Sequence, residues 1–238
     1  MRTQPQDYHE FADTRAWLGI ENAADTLSNL GFLAVGIMGL VFLWRERIAG
    51  ASRRFASPAE MAPYFAFFAG VLATSAGSAY YHLAPDDARL AWDRLPMAVA
   101  FMSLLAAVIA ERVSVRAGLR LLWPLVLLGA ASVVYWRVSA AAGAEDLRPY
   151  LAVQFGSIAA ILIIAAFFRS RYTHGGAIFW VAGAYAMAKL FEALDREIYA
   201  LGHLASGHTL KHLAAALGAY LLLRSLERRK MGSDHIFP

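Results

Sequence analysis

Three histidines have the spacing and the positions expected of metal ligands. His208 and His212 are four residues apart, so on a helix they share one face and can bind a single ion. His82 ends an earlier apolar run and can supply a third imidazole from a second helix. Three protein ligands with an open position for water are typical of catalytic zinc sites. A His-x-x-x-His pair also arises by chance, so the pair alone does not establish a metal site.

Two further residues would add a hydroxyl and a carboxylate beside these imidazoles. Ser78 precedes His82 by four residues, so its hydroxyl could donate a hydrogen bond to a metal-bound water or an oxyanion. Asp93 stands before Pro96 at the predicted start of the next helix, where it could act as a general base. Each has a structural alternative, because Ser78 could pack between helices and Asp93 could cap its helix.

The composition indicates a helical membrane protein. Apolar residues make up 59% of the chain and charged residues 17%, against roughly 45–50% and a quarter in soluble domains. The net charge of +4 comes from short basic clusters between apolar runs, as at membrane flanks, so we expect no nucleic-acid partner. The chain has no cysteine, which excludes disulfides, thiol nucleophiles and thiolate metal sites.

Seven apolar runs each have about the length needed to cross a bilayer. They lie at 27–44, 62–83, 95–111, 119–136, 150–168, 177–200 and 207–223. The predicted fold is therefore all-α, a polytopic membrane protein with a seven-transmembrane helix bundle. The expected organisation is a polar N-terminal segment at 1–26, a transmembrane domain at 27–224 and a short cytoplasmic tail at 225–238.

The distribution of basic residues predicts the orientation in the membrane. Arg and Lys are more frequent after the first, third, fifth and seventh runs than on the other side, so the C-terminus is expected in the cytoplasm and the N-terminus outside. The site is then expected near the outer face, where five residues distant in sequence converge. These are Ser78, His82, Asp93, His208 and His212. Ionisable groups at membrane depth are costly and usually mark a functional site.

Other polar residues near the predicted site are weaker candidates for a functional role. Glu192 and Asp195 end the sixth run on the same side, and could hydrogen-bond to the metal ligands or form a plain ion-pair network. Lys211 is expected to extend its ammonium to the membrane surface. His203 precedes the last run and is an alternative ligand. The remaining histidines, expected to be solvated, are His9, His174 and His235.

With these residues assembled, the chain resembles the alkaline ceramidase family. That family belongs to a superfamily of seven-span membrane hydrolases that includes the adiponectin- and progestin-type receptors. The resemblance covers nearly the whole chain in order, spacing and span count. It rests on Ser78-Ala-Tyr-Tyr-His82, Asp93-Arg-Leu-Pro-Met97, Ser206-Gly-His-Thr-Leu-Lys-His212 and Thr26-Leu-Ser-Asn29.

The resemblance implies a zinc ion and an activity on lipid amides. The ion would be held by His82, His208 and His212, and a water positioned by Asp93 and Ser78 would attack the amide of a ceramide-like lipid. The products would be a fatty acid and a sphingoid-type amine. Ceramidase-type members also carry a calcium site before the first span, although their Asp-Trp-x-Glu core is not reproduced here. The candidate calcium residues are Asp13, Trp17, Glu21, Asn22 and Asp25.

Other functions stay open at the level of the sequence. The same metal could hydrolyse a lipid ester or phosphodiester. Alternatively, the chain could be a seven-helix lipid sensor or receptor whose metal is structural, with a fourth protein ligand such as His203. The histidines could also serve a haem or metal-transport protein. The leading prediction is a zinc-dependent membrane hydrolase acting on a C–N amide bond, with a membrane lipid as substrate.

Overall fold

All the regular secondary structure in the described part of the chain is helical. A computed structural model describes residues 3–50 and 54–232. The α-helices are α1 (Ala23–Ser28), α2 (Leu30–Ala49), α3 (Ala62–Leu83), α4 (Asp87–Arg112), α5 (Val115–Ala141), α6 (Arg148–Phe167), α7 (Ala177–Ala193), α8 (Asp195–Ala200) and α9 (Gly207–Arg228). Short 3-10 turns lie at Gln6–His9 and Pro58–Met61. The predicted all-α fold is confirmed.

In the part of the chain that the structure describes, four helical segments are long and apolar enough to cross a membrane. These are Ala23–Ala49, formed by α1 and α2, and the helices α4, α5 and α6. Helix α7 is shorter, with 17 residues, and α3 and α9 carry hydroxyl and imidazole groups that make them less apolar. Length and composition therefore indicate an integral, multi-pass membrane protein. The predicted number of seven spans stays a prediction.

Helix α4 begins at Asp87, about two turns before the predicted run at 95–111. Asp86 caps it, because its side chain accepts a hydrogen bond of 2.7 Å from the backbone N–H of Arg89. Asp93 consequently lies in the second turn, and Pro96 lies inside the helix. The prediction that Asp93 stands at the helix start was wrong, and so was the alternative that it caps the helix. These first turns were not predicted, because the residues before Asp93 are polar and interrupt the apolar run.

The predicted sixth run, 177–200, is broken at Leu194 into α7 and α8. The backbone of Leu194 leaves the helical conformation, with φ −106° and ψ 27°. Beyond this break, the carboxylate of Asp195 accepts hydrogen bonds from the backbone N–H groups of His208 and Ala12, at 2.7 and 3.0 Å. The break thus places one carboxylate where it accepts hydrogen bonds from backbone N–H groups of both α9 and the N-terminal segment.

Glycines allow α3 to pack closely against its neighbours. A Cβ atom at Gly36 would lie 2.8 Å from the backbone of Leu72, and one at Gly77 would lie 2.1 Å from the carbonyl oxygen of Trp92. That carbonyl is the one that loses its helical partner, because Pro96 has no N–H. The contact at Gly77 brings the following residue of α3 next to the second turn of α4.

The two ends of the bundle are built differently. The final turns of α3 and α7 and the first turns of α4, α6 and α9 meet at one end, which we call the polar end. At the opposite end Arg229 is buried, and its Nη1 donates hydrogen bonds to Tyr64 and Glu111 at 3.1 and 3.0 Å. Helix α9 continues through Arg228, past the predicted boundary at 224. Residues 233–238 of the predicted tail lie outside the described residues.

We expect Gly77→Ala to destabilise the protein by about 1–3 kcal/mol, because the added methyl group overpacks the contact with Trp92. The matched control is Gly183→Ala in α7, where an added Cβ meets nothing within 4 Å. That change should be neutral or stabilising, by up to about 1 kcal/mol. Thermal unfolding of both variants in detergent measures the difference. Equal unfolding midpoints would contradict the close approach of α3 and α4.

Candidate metal centre

The three predicted ligand histidines lie together at the polar end. His82 is in the last turn of α3, and His208 and His212 are in the first two turns of α9. Each offers one ring nitrogen, and these nitrogens all lie within 4.8 Å of one another. The side chains are 0%, 4% and 3% exposed, respectively. Within residues 3–50 and 54–232, no other group of three or more histidines and carboxylates converges in this way.

The cluster fits a zinc ion. Both ring nitrogens of His82 are buried and have no hydrogen-bond partner among the described residues. Each such atom costs about 1–3 kcal/mol. A metal ion at the cluster would satisfy one of them. In a tetrahedral zinc site two ligand nitrogens lie about 3.4 Å apart, so the rings would have to move closer together around the ion. A set of imidazoles is a donor set that zinc prefers.

Residues of α1 determine which nitrogen of His212 can bind a metal. The Ser28 hydroxyl donates to the carbonyl oxygen of Asp25 at 2.8 Å, so its oxygen is free to accept a hydrogen bond. His212 Nδ1 lies 2.8 Å from this hydroxyl and 3.2 Å from the same carbonyl, and both are acceptors. Nδ1 therefore carries the proton, and Nε2 keeps the lone pair that a metal needs.

His208 is held through both its backbone and its ring. Its backbone N–H donates to Asp195, and the ammonium of Lys211 lies 2.9 Å from its Nε2. A metal ion at Nε2 and this ammonium exclude one another. Glu192, 3.0 Å from the ammonium, is the second acceptor to which Lys211 can turn. The prediction that Lys211 extends to the membrane surface was wrong, because the carboxylate of Glu192 holds it inside.

Glu192 is the centre of a hydrogen-bond network at the polar end. It accepts hydrogen bonds from Lys189, from Lys211 and from the Tyr8 hydroxyl, the last two at 3.0 Å. Burial, and next the carboxylate of Glu192, raise the pKa of Tyr8 well above its usual value, so the phenol stays a donor. Glu192 and Asp195, predicted near the site, thus contact Lys211 and His208.

Ser78 and Asp93 lie where α3 and α4 meet. Ser78 is 1% exposed and Asp93 6%, and both line one cavity together with His212. The electrostatic neighbours of the Asp93 carboxylate include Lys211, Ser78 and Arg94. A hydroxyl, a carboxylate and an imidazole from three helices are therefore available to one bound molecule. Their predicted roles in chemistry stay predictions.

The cavity has a volume of about 320 Å³, within the range of about 300–1,000 Å³ that is usual for small-molecule sites. Away from the polar end its walls are apolar, and include Val71, Leu104, Ile161 and Ile178. Along α4 the lining continues for eleven residues beyond Asp93, or about 16 Å. The cavity is thus polar at one end and apolar along its length.

The N-terminal segment covers the histidines. The ring of Phe11 packs against those of His82 and His208, with centroids 4.7 and 4.6 Å apart. The side chain of Asn22 donates to the carbonyl oxygen of His82 at 2.8 Å. Neither Phe11 nor the Ser28–His212 contact was predicted. Ser28 stands in the Thr26-Leu-Ser-Asn29 motif, which is the one signal that could have indicated it.

The five candidate calcium residues make other contacts. Asp13 is paired with Arg15, whose hydrogen bond lowers the pKa of the carboxyl group. Asp25 accepts hydrogen bonds from Ser206 and Thr209 at 3.0 and 2.6 Å. The other three are Asn22, which binds the backbone of His82, and the exposed residues Trp17 and Glu21. The calcium site stays a prediction that rests on the resemblance alone.

The other histidines do not extend the cluster. His203 is exposed, and its ring packs against Tyr199 at 4.8 Å, so it offers no fourth ligand here. His174 is exposed, as predicted. His9 was predicted to be solvated, which was wrong, because it contacts Tyr81 and Asp87 at 2.9 and 3.2 Å. His235 lies outside the described residues.

Comparison with protein-family models and with curated proteins gives no match for this chain. The physical description therefore rests on the structure. The chain is a helical protein of membrane type with several apolar helices, and three buried histidines at one end could hold a metal such as zinc. The alkaline ceramidase family enters below as part of a proposal.

We expect the purified protein to contain about one zinc ion per chain, bound through three histidines. His212→Ala should lose the zinc, because two imidazoles bind it too weakly. The control is His203→Ala, which should keep the zinc, since His203 lies at the surface against Tyr199. Elemental analysis of the detergent-purified variants measures this. Loss of zinc from the His203 variant would instead identify a fourth protein ligand.

Ser28→Ala should weaken zinc binding by about 10–100-fold, because the hydroxyl no longer fixes the proton and the ring of His212. Ser132→Ala is the matched control, since Ser132 bonds only a carbonyl of its own helix, α5. Competition with a zinc-binding dye measures both affinities. Equal affinities in the two variants would show that the contact with His212 has no part in zinc binding.

Proposed function

We propose that the chain is a zinc-dependent membrane hydrolase that cleaves the amide bond of ceramide-like lipids. The observation that carries the proposal is the cluster of three buried histidines at the polar end of an otherwise apolar cavity. The resemblance of the sequence motifs to the alkaline ceramidase family gives the substrate class. A cavity of this kind suits a substrate with an acyl chain and a polar group to be cleaved.

The proposed topology has seven spans, with the N-terminus outside, the C-terminus in the cytoplasm and the site near the outer face. The excess of basic residues on one side supports this orientation. A two-chain lipid leaves a bilayer only at high cost, so a site inside the bundle allows the substrate to enter from the membrane.

The side chains at the polar end have distinct proposed roles. His82, His208 and His212 would hold the zinc ion. A bound zinc ion would polarise the amide carbonyl and lower the pKa of a bound water to about 7. Asp93 would accept a proton from the attacking water and then donate it to the leaving amine nitrogen. The hydroxyl of Ser78 would donate a hydrogen bond to the oxyanion.

Two other functions are distinguished by experiment. A lipid esterase or phosphodiesterase would use the same metal on another bond, and incubation with matched amide and ester lipids separates it from an amidase. A receptor with a structural metal would bind lipid without releasing product. Release of fatty acid from the amide lipid, dependent on zinc, supports the proposal. Cleavage of only the ester, or of neither, contradicts it.

Asp93→Asn should lower kcat for the amide lipid by about 10²–10⁴-fold while zinc content is unchanged. The reason is that the asparagine side chain cannot accept and return the proton as a carboxylate does. The matched control is Asp86→Asn at the start of the same helix, where Asn caps as well as Asp. Rates of fatty-acid release and elemental analysis of both variants provide the measurement. A fully active, zinc-containing Asp93 variant would exclude the proposed general base.

A further inference from the structure

Arg94 is a buried cation that forms no ion pair with the residues that the structure describes. It lies in the second turn of α4 and is 6% exposed. Its Nη2 donates to the side-chain oxygen of Gln4 at 2.6 Å, whereas its buried Nη1 has no hydrogen-bond partner. Among residues 3–50 and 54–232, no carboxylate forms an ion pair with this guanidinium. A buried charge is costly unless an opposite charge compensates it.

Aromatic rings surround this guanidinium without neutralising it. Its Cζ lies 4.5 Å from the ring centroid of Trp136, 4.8 Å from that of Tyr150 and 5.6 Å from that of Tyr8. Such contacts involve the faces of the rings, while hydrogen bonds are made in the plane of the guanidinium. Glu145 accepts from the Trp136 ring nitrogen and the Gln4 backbone, so it fixes the surroundings of Arg94.

The charges that line the cavity are not balanced. Two carboxylates, Asp93 and Glu192, line it together with three cations, Arg94, Lys189 and Lys211. Both lysines donate to Glu192, whereas Arg94 donates to neither carboxylate and interacts with Asp93 only at longer range. If all five groups are ionised, the lining of the cavity carries one positive charge in excess, before any metal ion is bound.

We propose that the polar end binds a negatively charged group of an acyl lipid, a phosphate or a carboxylate, and that Arg94 is the residue that binds it. The inference rests on the proposed function and narrows its substrate to N-acyl lipids with an anionic group on the amine side. The acyl chain takes the apolar length of the cavity, which leaves the amine moiety next to Arg94. A guanidinium suits both anions, because its N–H groups form paired hydrogen bonds to two oxygens.

Three probes with one acyl chain test the inference. They are N-oleoylethanolamine, which is neutral, its O-phosphate, and N-oleoylglycine, which carries a carboxylate. Binding to the zinc-containing full-length chain in detergent is measured by tryptophan fluorescence within the first second after mixing. Release of oleate is measured in the same samples by mass spectrometry. We expect at least one anionic probe to bind about tenfold or more tightly than the neutral one.

Arg94→Gln should reduce this preference to about one, with zinc content and binding of the neutral probe unchanged. The control is Arg137→Gln, because Arg137 contacts the same Trp136 ring, at 5.3 Å, but does not line the cavity. Comparing variants with the same probes cancels differences in how the probes enter detergent micelles. If Arg94→Gln does not fold, Arg94→Lys replaces it and should lower the preference several-fold, because lysine lacks the paired donors.

The outcomes separate this inference from the proposed function. Equal binding of the three probes to the wild-type chain overturns the inference, and so does a preference that persists in zinc-containing Arg94→Gln or stays unchanged in Arg94→Lys. A preference for only the phosphate or only the carboxylate supports the inference and identifies the group. Tight binding of an anionic probe without release of oleate contradicts the amidase alone. Cleavage of all three probes without a preference contradicts the inference alone.

Discussion

The cost of burying polar and charged groups in an apolar helix bundle determines how the polar end is built. An unsatisfied buried polar atom costs about 1–3 kcal/mol, so each such group needs a partner. Glu192 is this partner for Lys211, and Ser28 and the carbonyl of Asp25 are the partners for His212. Among the buried atoms without a partner in the described residues, those of the His82 ring and Arg94 Nη1 lie at the polar end, where an ion or a ligand could satisfy them.

The N-terminal segment is part of the site rather than a tail that precedes it. Gln4 and Tyr8 line the cavity, Phe11 covers two of the imidazoles and Asn22 holds the last turn of α3. Because the backbone N–H of Ala12 also donates to Asp195, the segment is tied to the start of α8, next to the break after α7. The position of the histidines and the lining of the cavity therefore depend on the same segment of the chain.

Much of the architecture could be predicted from the sequence, since it depends on local patterns. Apolar runs located the long helices, and the spacing of His208 and His212 placed them on one face. The partners of these residues could not be predicted, because contacts such as Ser28–His212 join positions 184 residues apart. The same limit explains the error at Lys211. A lysine near a helix end usually extends its ammonium to the membrane surface, and the sequence does not show that Glu192, on another helix, lies beside it.

The histidines lie at helix ends of opposite polarity, and this has an electrostatic consequence. His82 lies at the C-terminus of α3, where the helix dipole favours a cation, whereas His208 lies at the N-terminus of α9, where the dipole disfavours one. Two carboxylates, Asp25 and Asp195, bond to that first turn of α9 and offset its partial positive charge. The two carboxylates therefore reduce the repulsion that the start of α9 would exert on a metal ion, while Lys211 must still turn away from His208 Nε2. Asp25 and Asp195 consequently contribute to the electrostatics of the centre, although neither side chain is one of the three candidate ligands.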